Sequence, residues 1–439
     1  MITRIEAYRY RCFQKLALDV RPYQVLVGKN GAGKSTLLDL PILLGEILEA
    51  RSISKAFLES TRSQQHPRAE NPIELIYNQT GYSFSFVIEA KLPDSIQDSI
   101  HRKRVGVATK AVRQVLTNNP ARKYSHIRYE LSIRVKEDAL SISAEHLILL
   151  PENRRFLRIE SDTLIGEGLV ENSSGNVRFL IERDDSDVAR IKPEVKEYGR
   201  TDLPNRYQLK PQVPALSGMP LDVELYSASQ WFCDLLTNQS RVYQPDLDKL
   251  RDACSAPGRD WTVAPDASTL AWSIKQLSEV DPDGFSEWLE NISFELQLLS
   301  NITTGIREDD KRAYFSAAYG DDRKVSASGL SDGTLSILAL TILPFLRNLP
   351  QMLTIEEPEN GIHPKAIEIV LEALRAVEHS QLWVTTHSPI AVAQTELDDL
   401  LCLRKTGDGV VVERGVEHRR LRNWQGSPSL ATLQSAGVL

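Results

Sequence analysis

Gly28-Lys29-Asn30-Gly31-Ala32-Gly33-Lys34-Ser35-Thr36 decides how this chain is read. The stretch satisfies the phosphate-binding loop template G-x-x-x-x-G-K-[ST] in full. An apolar run, Tyr23 to Val27, leads into it, and a helix-like run, Thr36 to Leu48, leads out. That is the strand–loop–helix setting the template requires. Glycines let backbone N–H groups turn inward around phosphate oxygens, and the N-terminus of the next helix adds partial positive charge. Asn30, Gly31, Ala32, Gly33 and Thr36 form that cradle with Lys34 and Ser35. Lys34 reaches the β- and γ-phosphates, and the Ser35 hydroxyl is placed to ligate Mg²⁺. A chance Gly-rich turn explains neither the Lys-Ser pair nor the flanking order. The stretch predicts a nucleoside triphosphate site.

The 439 residues exceed one ordinary domain, so two lobes with ample core are expected. Hydrophobic residues make up 41% and charged residues 25%, an ordinary globular composition. A net charge of −7 argues against a surface made basic throughout for nucleic acid. Cys12, Cys233, Cys254 and Cys402 are scattered without C-x-x-C spacing and predict reduced thiols, not a metal site or disulfide frame. No apolar run approaches a membrane span, and the N-terminus lacks a signal-peptide block. A soluble, cytoplasmic protein without membrane contact is expected.

From Ile2 to Val27 the pattern predicts two or three strands. Ile73 to Tyr77 and Tyr82 to Ile88 alternate around Asn78-Gln79-Thr80-Gly81, which predicts a hairpin. Between His101 and Arg128 many cations gather with no Asp or Glu, including Arg102, Lys103, Arg104, Lys110, Arg113, Arg122 and Lys123. A solvated face is the usual origin of such a run; in an acidic chain it is also a candidate contact for nucleic acid or an acidic partner. Short β segments follow at Ile127 to Val135, Leu140 to Ile142, Leu147 to Leu150 and Phe156 to Ile159, and residues 183–220 resemble loops. Helical spacing then predicts one helix across Val223 to Leu236 and another from Leu270 opened by Ser268. A third carries Phe285, Trp288, Leu289, Ile292 and Leu296.

The C-terminal third supplies what the phosphate loop lacks. Met352-Leu353-Thr354-Ile355-Glu356-Glu357 is an apolar strand ending in two acids, of which the first holds Mg²⁺ and the second polarises the attacking water. A solvated acidic turn, Glu356-Glu357-Pro358-Glu359, is the plainer alternative. Val384-Thr385-Thr386-His387-Ser388 is a second apolar strand that delivers a histidine to the γ-phosphate, or a merely structural one. Ser328-Gly329-Leu330-Ser331-Asp332-Gly333-Thr334 precedes an apolar helix, Leu335 to Leu346. Such a turn at a helix N-terminus is an anion site by the same physics as the phosphate loop, or an ordinary cap by Ser331 or Asp332. One triphosphate does not need two cradles from one subunit, so Ser331, Asp332 and Gly333 are expected to face the γ-phosphate bound by a second copy.

Together these residues resemble the ATP-binding-cassette superfamily, and more narrowly its soluble SMC/RecF-like and overcoming-lysogenisation-defect (OLD) ATPases. Gly28 to Thr36 match Walker A, and Leu330 to Thr334 match the signature in an LSDGT form. Ile355 to Asn360 match Walker B running into the D-loop, Gly361-Ile362-His363-Pro364 match its continuation, and Thr386-His387-Ser388 match the switch-histidine loop. Glu356 departs from the usual Asp and is one methylene longer, which suits a water-mediated approach to Mg²⁺. Gln64, Gln65 and Gln79 all stand as candidates for the Q-loop glutamine.

The resemblance implies an α/β fold: an ABC-type P-loop head, with a mixed or parallel sheet, flanking helices, an N-terminal antiparallel sheet and an inserted α/β lid. The expected division is 1–95 for the N-terminal lobe, 96–220 for an inserted β/loop region, 221–320 for a helical lid and 321–439 for the C-terminal lobe. It implies ATP and Mg²⁺ as ligands, slow hydrolysis with Glu357 and His387 as catalytic groups, and a head-to-tail dimer or larger oligomer. It also implies a separate effector such as a nuclease or toxin in anti-phage defence, as in PARIS-type systems. Only about fifty residues follow His387, and Asp398 and Asp399 are adjacent rather than spaced as D-x-D, so no Toprim nuclease is expected here. Two other readings remain: a repair or recombination ATPase that clamps DNA through residues 101–128, and a scaffold with degenerate hydrolysis.

Overall fold

The computed structural model describes residues 1–152, 177–185, 187–195, 205–258, 261–296, 299–320, 323–419, 421, 430 and 432. The chain divides into two units that interleave along the sequence. One comprises Met1–Arg21, Asp39–Asn238 and Lys405–Val411, the other Pro22–Leu38, Gln239–Arg404 and Val412–Leu439.

The first unit is built on an eight-stranded antiparallel sheet. Its strands are β1 (Ile2–Tyr10), β2 (Phe13–Asp19), β4 (Ser83–Lys91), β5 (Tyr124–Lys136), β6 (Ala139–Pro151), β7 (Arg178–Arg183), β8 (Val188–Ile191) and β9 (Asn205–Gln208), in the order 2-1-4-5-6-7-8-9. The short β segments expected between 127 and 150 are in fact two strands of 13 residues each, paired through Lys136 and Ala139. Glu137 and Asp138 both have positive φ, the requirement of a two-residue hairpin turn. Phe156 to Ile159 lie outside the described residues, as do Gly199 and Pro204 of the expected loop region. Within that region β8 and β9 form a pair that its Pro and Gly content concealed.

The hairpin expected between Ile73 and Ile88 does not form. Asn71 caps a 3₁₀ turn, Pro72–Leu75, by accepting the N–H of Ile73, and a second turn covers Tyr77–Gln79. Pro72 favours the start of a helical turn and lacks the N–H that a ladder needs. β4 pairs instead with β1 and β5. Helices α2 (Ile53–Leu58), α3 (Asp94–Val107), α4 (Lys110–Asn118) and α5 (Val223–Thr237) complete this unit.

The second unit carries a six-stranded sheet made of β3 (Tyr23–Val27), β10 (Ser240–Val242), β14 (Met352–Glu356), β15 (Gln381–Thr385), β16 (Leu400–Thr406) and β17 (Gly409–Arg414), in the order 10-14-15-3-16-17. From β10 to β16 all neighbours are parallel. β15 is buried at all five positions and β3 at its last four, as strands covered on both faces should be. A separate antiparallel sheet joins β11 (Leu299–Ile306), β12 (Ala313–Tyr319) and β13 (Arg323–Ser326).

Helices α6 (Leu247–Arg251), α7 (Leu270–Val280), α8 (Pro282–Ser293), α9 (Asp332–Thr341), α10 (Ile367–Arg375) and α11 (Pro389–Gln394) belong to the second unit. α7 opens after Thr269, not Ser268, whose N–H is taken by the Asp266 carboxylate. α9 is buried from Leu335 to Thr341 and ends there instead of at Leu346, because Pro344 cannot continue an α-helix and a 3₁₀ turn, Leu343–Phe345, follows. Trp288 of α8 donates to Thr341 Oγ1 at 3.0 Å, and Tyr243 donates to the Ala339 carbonyl at 2.8 Å. Both aromatic polar atoms are thereby satisfied inside the core.

Candidate phosphate and hydrolysis site

Strand register brings the predicted motifs to one edge of the parallel sheet. Val384 of β15 is paired with Ile355 of β14 on one side and with Val25 of β3 on the other. The chain therefore leaves all three strands in the same direction, and Gly28, Glu357 and His387 follow their C-terminal ends. This is where open parallel sheets place their ligands.

The loop after β3 turns at once. Gly28 has φ 155° and a Cβ there would stand 2.4 Å from the Leu403 carbonyl oxygen, so no other residue fits. Gly33, with φ 90°, delivers the chain into α1 (Lys34–Ala50). Asn30 and Gly31 are exposed at the loop tip, Ala32 is buried, and Gly33 and Thr36 are half-buried. The Lys34 side chain folds back across this loop, donating to the carbonyls of Gly28 at 3.0 Å and Lys29 at 3.4 Å. Burial lowers the Lys34 ammonium pKa, while the nearby Glu357 and Glu356 carboxylates oppose that shift.

Ser35 Oγ donates to Glu356 Oε2 at 3.3 Å, which joins the start of α1 to the end of β14 across 321 residues of sequence. A hydroxyl and a carboxylate oxygen facing one another form a hard donor set suited to Mg²⁺. Glu357, with φ 46°, sits in left-handed backbone that an unbranched non-glycine residue seldom adopts. Its N–H is held by Thr385 through the carbonyl at 3.0 Å and the hydroxyl at 3.3 Å. Glu357 Oε1 then lies 3.6 Å from His387 Nε2, and both side chains remain part exposed. Ser35, Glu356, Glu357 and His387 are thus brought together as the motif order predicts.

The Leu330–Thr334 turn has other neighbours. Ser331 caps α9, its Oγ accepting from the Thr334 N–H at 3.2 Å, and Arg251 of α6 grips Asp332 Oδ1 and the Leu330 carbonyl. A Cβ on Gly333 would meet the Gly361 carbonyl oxygen. Among the described residues no hydrogen bond or ion pair joins this turn to Gly28–Thr36. The cap by Ser331 is real, and the exposed Asp332 carboxylate is already partnered by a cation of its own chain.

Within the basic run Arg102, Lys110 and Arg113 are exposed, Lys103, Arg104, Arg122 and Lys123 are half-buried, and Arg128 is enclosed. Arg128 is buried and pairs with Glu6 and Glu130. Arg104 covers the Tyr124 ring at 3.9 Å, Lys123 pairs with Asp98, and Arg113 donates to the carbonyls of Val105, Gly106 and Ala108. Arg104, Arg113 and Lys123 thus pack about the ends and flanks of α3 and α4, while Arg128 belongs to the sheet. Glu359 and Asn360 lie in the D-loop match without an individual role there, and Arg251 carries no motif; Glu359 shows in the sequence as a third acid beside the two-acid strand end.

A family model described as "AAA domain, putative AbiEii toxin, Type IV TA system" matches residues 25–393. No curated protein matches the chain. Among solved structures, an SMC head bound to the C-winged helix domain of ScpA is 12% identical with a TM-score of 0.47, covering 94% of this chain and 98% of that one. An SMC head domain from Thermotoga maritima is 11% identical with a TM-score of 0.40, covering 94% and 98%. An SMC head with an extended coiled coil, bound to the C-terminal domain of ScpA derived from Pyrococcus furiosus, is 11% identical with a TM-score of 0.44, covering 94% and 96%.

Proposed function

The chain belongs to this family of AAA domains, and from that premise we propose that it is a Mg²⁺-dependent ATPase acting as a molecular switch. The observation that carries the reading is the Ser35–Glu356 contact with the Glu357–His387 pair on the adjoining strand ends. Lys34 and the N–H groups of the loop hold the β- and γ-phosphates of ATP. Ser35 and Glu356 would hold Mg²⁺, and the bound ion would supply charge neutralisation at the phosphoryl group. Glu357 polarises the attacking water, and His387 orients the γ-phosphate and that water relative to each other.

Two copies close head to tail, the Ser331–Gly333 turn of one facing the triphosphate held by the other; a larger oligomer repeats the contact. Hydrolysis reopens them, and a separate effector, a nuclease or toxin, reads the state. The family description reads "putative AbiEii toxin, Type IV TA system"; control of a separate effector in bacterial anti-phage defence is our extension beyond those words. Steady-state hydrolysis of Mg·ATP by wild type and Glu357→Gln tests the chemistry, and light scattering with and without ATP tests assembly. Turnover in the wild type no faster than in Glu357→Gln would refute hydrolysis and leave a scaffold. Tight, salt-steep, ATP-dependent duplex binding would favour the DNA-clamp reading instead.

A further inference from the structure

We infer that Glu359, to which no catalytic or ligand-binding role is given above, is the positioning residue for His387; the inference rests on the ATPase reading. Glu359 Oε1 accepts three hydrogen bonds, from Thr386 Oγ1 at 2.7 Å, the His387 N–H at 2.8 Å and the Ser388 N–H at 3.1 Å. The Thr386 hydroxyl also accepts from the Ser388 N–H at 3.0 Å, which directs its own proton to Glu359. Thr386 N–H makes the last bond of this segment to β3, to the Leu26 carbonyl at 3.2 Å. Beyond it the N–H groups of His387 and Ser388 lack a strand partner, and a carboxylate supplies one.

Capping α11 does not explain the arrangement, because Ser388 caps that helix with its own hydroxyl, accepting from the Ala391 N–H. Nor is it a low-cost way to tie a loop. Glu359 Oε2 is buried and, among the described residues, has no hydrogen-bond partner, and enclosing part of a charge in this way costs stability. What the carboxylate adds is charge-assisted strength on three donors at once.

The same turn holds the other member of the pair. Asn360 Nδ2 donates to Glu357 Oε2 at 3.0 Å, and Asn360 N–H donates to the Glu357 carbonyl at 3.0 Å. Adjacent residues therefore bracket the hydrolytic pair: Asn360 fixes the Glu357 carboxylate, and Glu359 fixes the backbone that carries His387. The distance between Glu357 and His387 is set from one turn, not by the two strands alone.

The test uses the full chain as wild type, Glu359→Ala, Glu359→Gln, His387→Ala and the Glu359→Ala/His387→Ala double variant. Hydrogen exchange of the His387 and Ser388 amides is measured beside kcat and KM for ATP. Glu359→Ala is expected to speed exchange at both amides and to lower kcat by about 10- to 100-fold, with KM within about twofold. Glu359→Gln keeps an accepting oxygen without the charge and is expected to fall between Glu359→Ala and wild type in both protection and turnover. The double variant is no slower than His387→Ala, because the two losses are one loss.

Unchanged exchange in Glu359→Ala, or a turnover loss that adds in full to that of His387→Ala, overturns the inference. A wild type without hydrolysis defeats the ATPase reading instead, while the exchange result still decides whether Glu359 holds the loop. Should Glu359→Ala not fold, Thr386→Val removes one of the three donors and carries the same comparison in a milder form.

Discussion

A methyl group on Gly333 would stand 2.9 Å from the carbonyl oxygen of Gly361. The first turn of α9 and the segment after β14 thus meet backbone to backbone. Gly333→Ala is predicted to disturb the contact at a cost of about 1–3 kcal/mol, offset in part by the better helix propensity of alanine. Urea unfolding measures the first effect. A larger loss of ATP-driven assembly than of stability is the expected signature if this turn faces a partner's triphosphate.

Lys34→Ala is predicted to abolish measurable ATP binding while leaving the fold intact. Its ammonium is buried against two backbone carbonyls of the loop, so its removal also relieves a desolvated charge. Titration with a fluorescent ATP analogue and a parallel thermal melt separate the two effects; retained affinity would contradict the assigned role.

Glu357→Gln keeps the shape of the side chain and the partnership with Asn360, but loses the charge proposed to polarise water. The variant is expected to bind ATP, to turn over at least about 100-fold more slowly and to accumulate as a closed dimer. Light scattering at saturating ATP checks this, and a mass unchanged from the wild type would count against the closed state.

Acid lability should come from the first unit's sheet. Burial raises the Glu6 pKa, but Arg128 and Arg4 outweigh it and hold the carboxyl at about 2, against an ordinary 4.5. A depressed folded-state pKa contributes stability above pH 4.5 that is lost as pH falls toward 2. The shift corresponds to on the order of 3 kcal/mol at neutral pH. Glu6→Gln should be clearly less stable than wild type at pH 7, with the gap narrowing at pH 3 in denaturant titrations.

Arg68→Ala should be the most damaging single change near α1. The Arg68 side chain is fully enclosed, gripping Asp39 through both carboxylate oxygens and Glu46 through its other arm. Removing it strands two enclosed carboxylates, a loss of about 3–5 kcal/mol. Arg68→Lys keeps the charge without the fork and should fall between. Equal stability of the three proteins by urea unfolding would show that the pairs carry no net weight.

The local sequence determined the phosphate loop, the two-acid strand end and the histidine strand, because each rests on short-range rules: glycine where φ is positive, an unbroken apolar run where a strand is covered on both faces, and a Lys-Ser pair at a helix start. The tertiary structure decided the rest. The Ile73–Ile88 hairpin failed because alternation is ambiguous, and β1 and β5 competed for β4 from 80 residues before and 40 residues after it. The basic run kept Arg102, Lys110 and Arg113 at the surface and enclosed Arg128, because a charge count does not say which cation folding will pair: Arg128 found Glu6 across 122 residues. Glu359 gained its meaning only when β14 and β15 lay side by side, since a carboxylate's role depends on the donors that folding brings to it.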